Sequence, residues 1–320
     1  MERLDIFMGR ANALYYAHHD PFADFATSPE ISQIFGELLG AWAAVVWESM
    51  GRPNPVILAE AGPGRGTLMA DALRLIRRMA PQFAAALQLH LIETSPRLRA
   101  EQSQRLGAVA FHDRLEDLPA GALILLANEF LDALPIRQCI RRAQWMERYV
   151  QDGAFVEQAA DLVLPAADEG QILEICEPAR EIAAFLARRF QQQPGAALFV
   201  DYGPARSDFG DSLQALRDRE NADPLAAPGE ADLTAHVDFQ ALAEAAFGAD
   251  VHGPEVQGKF LTRLGLFQRM GALARTQQPR QAMETIASAR RLVEPDAMGQ
   301  LFKMLAITSP GLPPPPGFAE

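Results

Sequence analysis

Only two cysteines occur in the 320 residues, Cys139 and Cys176, far apart and in no C-x-x-C pair, which argues against a disulfide framework or a zinc site. No metal is expected. No apolar run approaches the ~18 residues that a membrane helix requires, so no membrane insertion is expected. The first residues, Met1-Glu-Arg-Leu-Asp-Ile-Phe-Met8, hold neither a long apolar core nor an acid-free arginine-rich stretch. They read as the start of a cytoplasmic, bacterial-type chain without signal or transit peptide. A basic excess is absent too: the formal charge of −12 and a pI near 5.0 argue against a nucleic-acid partner, whose phosphates call for a concentrated basic surface. An acidic surface suits a cationic substrate, or simply keeps the chain soluble. HExxH, G-x-S-x-G and G-x-x-x-x-G-K-[ST] patterns are missing, which leaves metalloprotease, α/β-hydrolase and P-loop readings without support.

What is present is an alternation of strand-like and helix-like segments. From Pro55 the pattern reads as strand 56–60, helix 67–79, strand 88–93, helix 96–106, strand 108–112 and strand 122–127, which specifies a doubly wound, mostly parallel α/β sheet. Residues 1–50 read as a helical N-terminal cap, with Ser28 and Pro29 as a cap and first-turn pair. Residues 51–135 read as the cofactor-binding half of the core. An inserted antiparallel meander and a helix occupy 136–195, and the remainder of the core 196–320. That last part holds a strand near 196–203, an irregular substrate-side loop at 204–235, helices 237–247, 257–274 and 280–290, and a closing strand at 300–308. The run Leu312-Pro-Pro-Pro-Pro-Gly317 predicts an extended tail.

Chemistry gathers at the strand ends, because ligands of such sheets bind outside the carboxyl ends of the strands. Glu60-Ala-Gly62-Pro-Gly64-Arg-Gly66 follows the first strand and opens a helix. A dinucleotide fingerprint would put its third glycine at the position of Thr67, one residue later than Gly66. The carboxylate of Glu60 favours a cofactor end that carries a cation and would repel a pyrophosphate. The turn therefore reads as one that holds S-adenosyl-L-methionine, with glycines letting the backbone approach. Glu93 ends the next strand, where a carboxylate can accept from both ribose hydroxyls or cap the following helix. Asp113 could accept from an adenine amino group or be a loop acid. Asn128, Glu129 and Asp132 cluster where the fourth strand stops. Two carboxylates there could grip a guanidinium, whose charge is permanent and whose lone pairs are delocalised, although Asp132 reads equally well as a turn cap. Asp201 and Tyr202 end a later strand. His236, followed by Asp238, could accept the proton released on methylation or be structural; a histidine's titration range suits that task.

Five segments in order, Thr27–Glu37, Glu60–Met69, Asn128–Pro135, Ala231–Phe239 and Gln257–Leu261, together resemble the MidA-like methyltransferases over nearly the whole chain. The resemblance implies a class I methyltransferase fold and use of S-adenosyl-L-methionine. The family includes a mitochondrial protein arginine methyltransferase that assists assembly of respiratory complex I. It therefore implies a protein substrate with an accessible arginine, on a complex I (NADH dehydrogenase) type subunit. Against the family pattern, His18–Thr27 looks shortened. A non-catalytic assembly factor that keeps the cofactor pocket, or methylation of another protein or small-molecule nitrogen, are the alternatives.

Overall fold

The computed structural model describes residues 1–19 and 27–318, so the stretch read as shortened lies largely outside the described residues. Two compact units interleave along the chain. The larger comprises Ala26–Phe130, Ile182–Gly203 and Ala243–Glu320, and the smaller Met1–Phe25, Leu131–Glu181 and Pro204–Leu242. The helices within residues 1–50 are shared out: Leu4–His18 belongs to the smaller unit, and Ser28–Ile31 and Gln33–Ser49 to the larger.

The larger unit is built on a seven-stranded sheet in the order Asp250–Val256, Phe302–Thr308, Gly195–Tyr202, Leu123–Asn128, Val56–Ala61, Leu87–Ile92, Ala110–His112. The last five of these are parallel. Phe302–Thr308 runs antiparallel to both of its neighbours. This is the doubly wound, mostly parallel class I architecture. Val56–Ala61 and Leu123–Asn128 are buried at every residue, as strands covered on both faces must be. Val56–Ala61 lies between Leu87–Ile92 and Leu123–Asn128, so the winding reverses beside it and opens a crevice at the carboxyl ends of these strands.

Helix Gln33–Ser49 packs closely on helix Thr67–Met79 through Gly36 and Gly40. A Cβ on Gly36 would lie 2.7 Å from the Leu68 carbonyl oxygen, and one on Gly40 2.8 Å from Ala72 backbone atoms. Trp42, Phe35, Leu39, Leu68, Met69 and Ala72 fill the space around this contact. Beside it Glu37, 1% exposed, receives the Arg269 guanidinium on both oxygens, at 2.7 and 2.8 Å, and Arg74 at 3.0 Å.

Several elements differ from the sequence reading. Ser28 is the first residue of a short helix rather than its cap, because the backbone turns extended again at Ser32, whose hydroxyl accepts from the Ile34 amide and starts a new helix. The single helix expected over 257–274 is two, Gln257–Arg263 and Leu266–Ala274, parted at Gly265 with φ +91°. Asp250–Val256, to which the sequence reading assigned no element, is a strand whose register shifts between His252 and Glu255, at Gly253 and Pro254.

In the smaller unit the expected antiparallel meander is present as Arg137–Arg141, Trp145–Gln151 and Ala154–Ala159, extended by Ile172–Ile175 and Glu2–Arg3. The stretch read as an irregular loop holds three short antiparallel strands, Gln214–Arg217, Glu220–Ala222 and Asp232–Thr234. Helix Leu4–His18 buries Leu4, Phe7, Met8 and Ala11 in a core with Ile136, Val150, Ala215 and Leu233. Among the described residues no helix is long and apolar enough to cross a membrane.

Candidate active site

The glycine turn begins as Val56–Ala61 leaves the sheet. Gly62, Gly64 and Gly66 have φ of +64°, +54° and +74°, a region where a side chain strains the backbone. Space is short as well, since a Cβ on Gly62 would come within 3.1 Å of Phe130. The turn closes by the Gly66 amide donating to the Pro63 carbonyl at 2.7 Å, and helix Thr67–Met79 follows at once. Its two flanking strands hold it in place: the Gly62 amide donates to the Ile92 carbonyl at 3.1 Å, and Ala61 registers with Ala127.

Glu60, 2% exposed, accepts from the Met69 amide in the first turn of that helix, while its Oε2 has no hydrogen-bond partner among the described residues. Burial pushes its carboxyl well above the usual carboxylate range. A cation placed against it would favour the ionised form.

Glu93 is half-buried at the next strand end. Its Oε1 accepts at 2.7 Å from the amide of Ser95, the N-cap of helix Pro96–Leu106, and Oε2 accepts from Gln102 Nε2 at 3.3 Å. Burial raises its pKa and these donors oppose the rise. Gln102 was not singled out from sequence, yet it is fully buried and also donates to the Gly64 carbonyl at 2.6 Å. One amide thus ties the glycine turn to Glu93. Asp113 lies beyond the third strand, largely exposed, with one oxygen 2.7 Å from the Arg99 guanidinium. Arg99 in turn donates to the Glu93 carbonyl at 2.6 Å and lies over the Phe111 ring.

Asn128 and Glu129 end the central strand Leu123–Asn128. Glu129 has φ +49°, uncommon for a residue with a side chain, and its amide still donates to the Val200 carbonyl at 2.9 Å. Its Oε1 accepts from Asn128 Nδ2 at 3.1 Å and from the Ser28 amide at 3.4 Å. Asn128 is buried, and its Oδ1 is without a hydrogen-bond partner among the described residues. On the neighbouring strand Asp201 is buried and accepts from the Tyr202 amide at 3.0 Å. The structure therefore brings Glu60, the three glycines, Glu93, Asn128 and Glu129 to the carboxyl ends of adjacent strands in one unit.

Asp132 and His236 belong to the smaller unit. Asp132 is buried, and its carbonyl accepts from the Ala235 amide at 2.9 Å. Near it the Tyr16 hydroxyl donates to Asp232 at 2.7 Å. Burial and then the charges of Asp232 and Asp132 push the Tyr16 phenol well above its usual range. His236 is exposed; its amide donates to Ser212 Oγ at 2.8 Å, and it lines a cleft with Glu174, Cys176, Arg180 and Asp238. Asp238 caps helix Phe239–Ala245 by accepting from the Ala241 amide at 2.9 Å.

Comparison with known proteins identifies the family. Residues 38–255 match the family described as S-adenosyl-L-methionine-dependent methyltransferase. The protein arginine methyltransferase NDUFAF7 homolog of Drosophila melanogaster is 35% identical over 92% of this chain and 77% of its own length. NDUFAF7 of Danio rerio is 33% identical over 92% and 79%, and that of Homo sapiens 32% over 92% and 76%. A crystal structure of a Burkholderia thailandensis protein bound to S-adenosyl-homocysteine aligns with a TM-score of 0.81 at 26% identity, covering 98% of this chain and 89% of that one. These relatives correct one expectation. All three NDUFAF7 proteins are named as mitochondrial, which overturns the expectation of a bacterial cytoplasmic setting; the character of the first eight residues is no ground for it. With the turn, the sheet order and these matches in hand, the chain belongs to the MidA-like family of S-adenosyl-L-methionine-dependent methyltransferases, and S-adenosyl-L-methionine is its cofactor.

Proposed function

We propose that this chain is a protein arginine N-methyltransferase whose substrate is a subunit of respiratory complex I type. The observation that carries the reading is Glu129: a carboxylate held in left-handed backbone at the end of a central strand, with two donors on one of its oxygens. The names of the curated relatives, protein arginine methyltransferases, support the same acceptor.

The residues at the strand ends fit the cofactor. A buried carboxylate at Glu60 with one oxygen unpaired among the described residues suits its cationic end, and positive-φ glycines at 62, 64 and 66 let the backbone come close. Glu93 is proposed for the ribose hydroxyls, Asn128 as a polar partner through Oδ1, and Asp113 for the adenine amino group through the oxygen that Arg99 does not take. When bound, S-adenosyl-L-methionine supplies an activated methyl on sulfur.

The protein's own task is orientation and electrostatics. A guanidinium keeps its charge at any accessible pH, and a carboxylate gripping it through charge-assisted hydrogen bonds fixes which nitrogen is presented and draws positive charge away from it. Holding that nitrogen in line with the methyl carbon is where most of the acceleration arises. Within the smaller unit Asp132, in the neighbourhood of Tyr16 and Asp232, is proposed as an orienting carboxylate for a cation, and His236 as a proton acceptor. The test is mass spectrometry of methylated arginines in cells with and without this protein. One or a few methylarginine sites, on a complex I subunit, are expected to vanish with the protein; an unchanged methylarginine profile overturns the proposal.

A further inference from the structure

Two segments that carried the family resemblance, Thr27–Glu37 and Gln257–Leu261, meet in the larger unit at Ser28 and Gln257, both 0% exposed. A buried glutamine is costly unless both ends of its amide are paired. Gln257 Nε2 donates at 2.9 Å to the carbonyl of Leu292, one of the last carbonyls of helix Pro279–Val293, which lack partners inside the helix. Its Oε1 accepts from Ser28 Oγ at 3.4 Å. Ser28 then donates its amide at 3.4 Å to Glu129 Oε1.

The anchor itself cannot drift. Next to it the Gly258 amide donates to the Gly299 carbonyl at 2.9 Å, and a Cβ on Gly258 would lie 2.6 Å from the Val293 carbonyl oxygen. Backbone packed that tightly fixes where the Gln257 side chain starts. We propose that Gln257 is a positioning residue for Glu129, acting through Ser28. The C-terminal helices thereby set the position of a carboxylate that lies more than a hundred residues earlier in the chain. Such supporting hydrogen bonds hold reacting groups within the few tenths of an ångström that catalysis tolerates. Both bonds through Ser28 are at the long end of the hydrogen-bond range, so each contributes modestly and the expected loss is moderate.

This inference rests on the proposal that Glu129 orients the methyl acceptor. It is tested with Gln257→Met, which keeps length and volume but removes both hydrogen bonds, and with Ser28→Ala, which deletes only the hydroxyl. Transfer of labelled methyl from S-adenosyl-L-methionine into an extract of cells lacking the protein should slow about tenfold in each. Cofactor affinity by calorimetry should stay within about twofold, because neither residue is assigned to the cofactor. Glu129→Gln alone should slow transfer about a hundredfold, and adding Gln257→Met to it should cause no further loss, since residues acting through one group are not additive. Unchanged transfer in Glu129→Gln overturns the reading of Glu129 and this inference with it. A slow Glu129→Gln whose loss multiplies with that of Gln257→Met overturns the inference alone. So does a loss in Gln257→Met and Ser28→Ala that merely follows the fraction unfolded at the assay temperature.

Discussion

Glu60 places stability and function in opposition at a single residue. Its folded pKa is raised by burial above the unfolded value near 4.5, so the stability it contributes is full below that value and is lost as pH rises through the folded pKa. Without cofactor, unfolding midpoints should therefore fall across that window. Glu60→Gln should flatten this fall and be the more stable protein at neutral pH, while binding S-adenosyl-L-methionine more weakly. Thermal melts across pH, paired with calorimetry, check both halves; a Glu60→Gln variant that melts lower than wild type at neutral pH would contradict the argument. For the native chain, cofactor affinity should rise with pH through the same window, because the cation selects the ionised carboxylate. Gly64→Val is simpler. A β-branched side chain at φ +54° strains the turn and blocks backbone approach, so calorimetry should show no cofactor binding at all. Glu60 and the glycines could be read from spacing because their chemistry is local. Gln102 could not: it reaches the Gly64 carbonyl across 38 residues, and nothing in a helix reading Arg-Ala-Glu-Gln marks one amide as facing a turn.

Between elements, the tightest constraint is the approach of helix Gln33–Ser49 to helix Thr67–Met79. Gly40→Val must push against Ala72 backbone only 2.8 Å from the first added atom, and overpacking of this kind typically costs about 1–3 kcal/mol. Because Thr67–Met79 starts at the glycine turn, displacing it should weaken cofactor binding as well as stability. Denaturant unfolding and calorimetry on the same variant measure the two effects; a stable Gly40→Val with weak binding would mean that the contact positions the turn without supporting the core. Helices Thr67–Met79 and Pro96–Leu106 were legible residue for residue, since glycine or serine with proline marks their starts and the apolar spacing carries them through. Asp250–Val256 was not, because a bulge at Gly253 and Pro254 and a half-exposed face erase the alternation of a strand. The breaks at Ser32 and Gly265 were also missed. Apolar periodicity runs straight across both, and only the tertiary fold decides that the backbone leaves the helix there.

Across the whole molecule, the residues proposed to hold the cofactor, Glu60, Gly62, Gly64, Gly66, Glu93, Asp113 and Asn128, all lie in the larger of the two units, although that unit is assembled from three separate stretches of chain. A ligand stabilises what it binds: at a hundred times its Kd, S-adenosyl-L-methionine should add about 2.7 kcal/mol to the stability of the structure that holds it. In a chain with two compact units that increment need not spread evenly, because local and sub-global opening have their own free energies. Amide hydrogen exchange should accordingly slow most in Val56–Ala61, in the turn at 62–66 and at the ends of Leu87–Ile92 and Leu123–Asn128. The strands Trp145–Gln151 and Ala154–Ala159 and the three-stranded sheet of Gln214–Arg217, Glu220–Ala222 and Asp232–Thr234 should change least. Equal slowing in both sets would show that the units open together, and that cofactor binding is felt by the smaller unit as strongly as by the one whose residues are proposed to make the contacts.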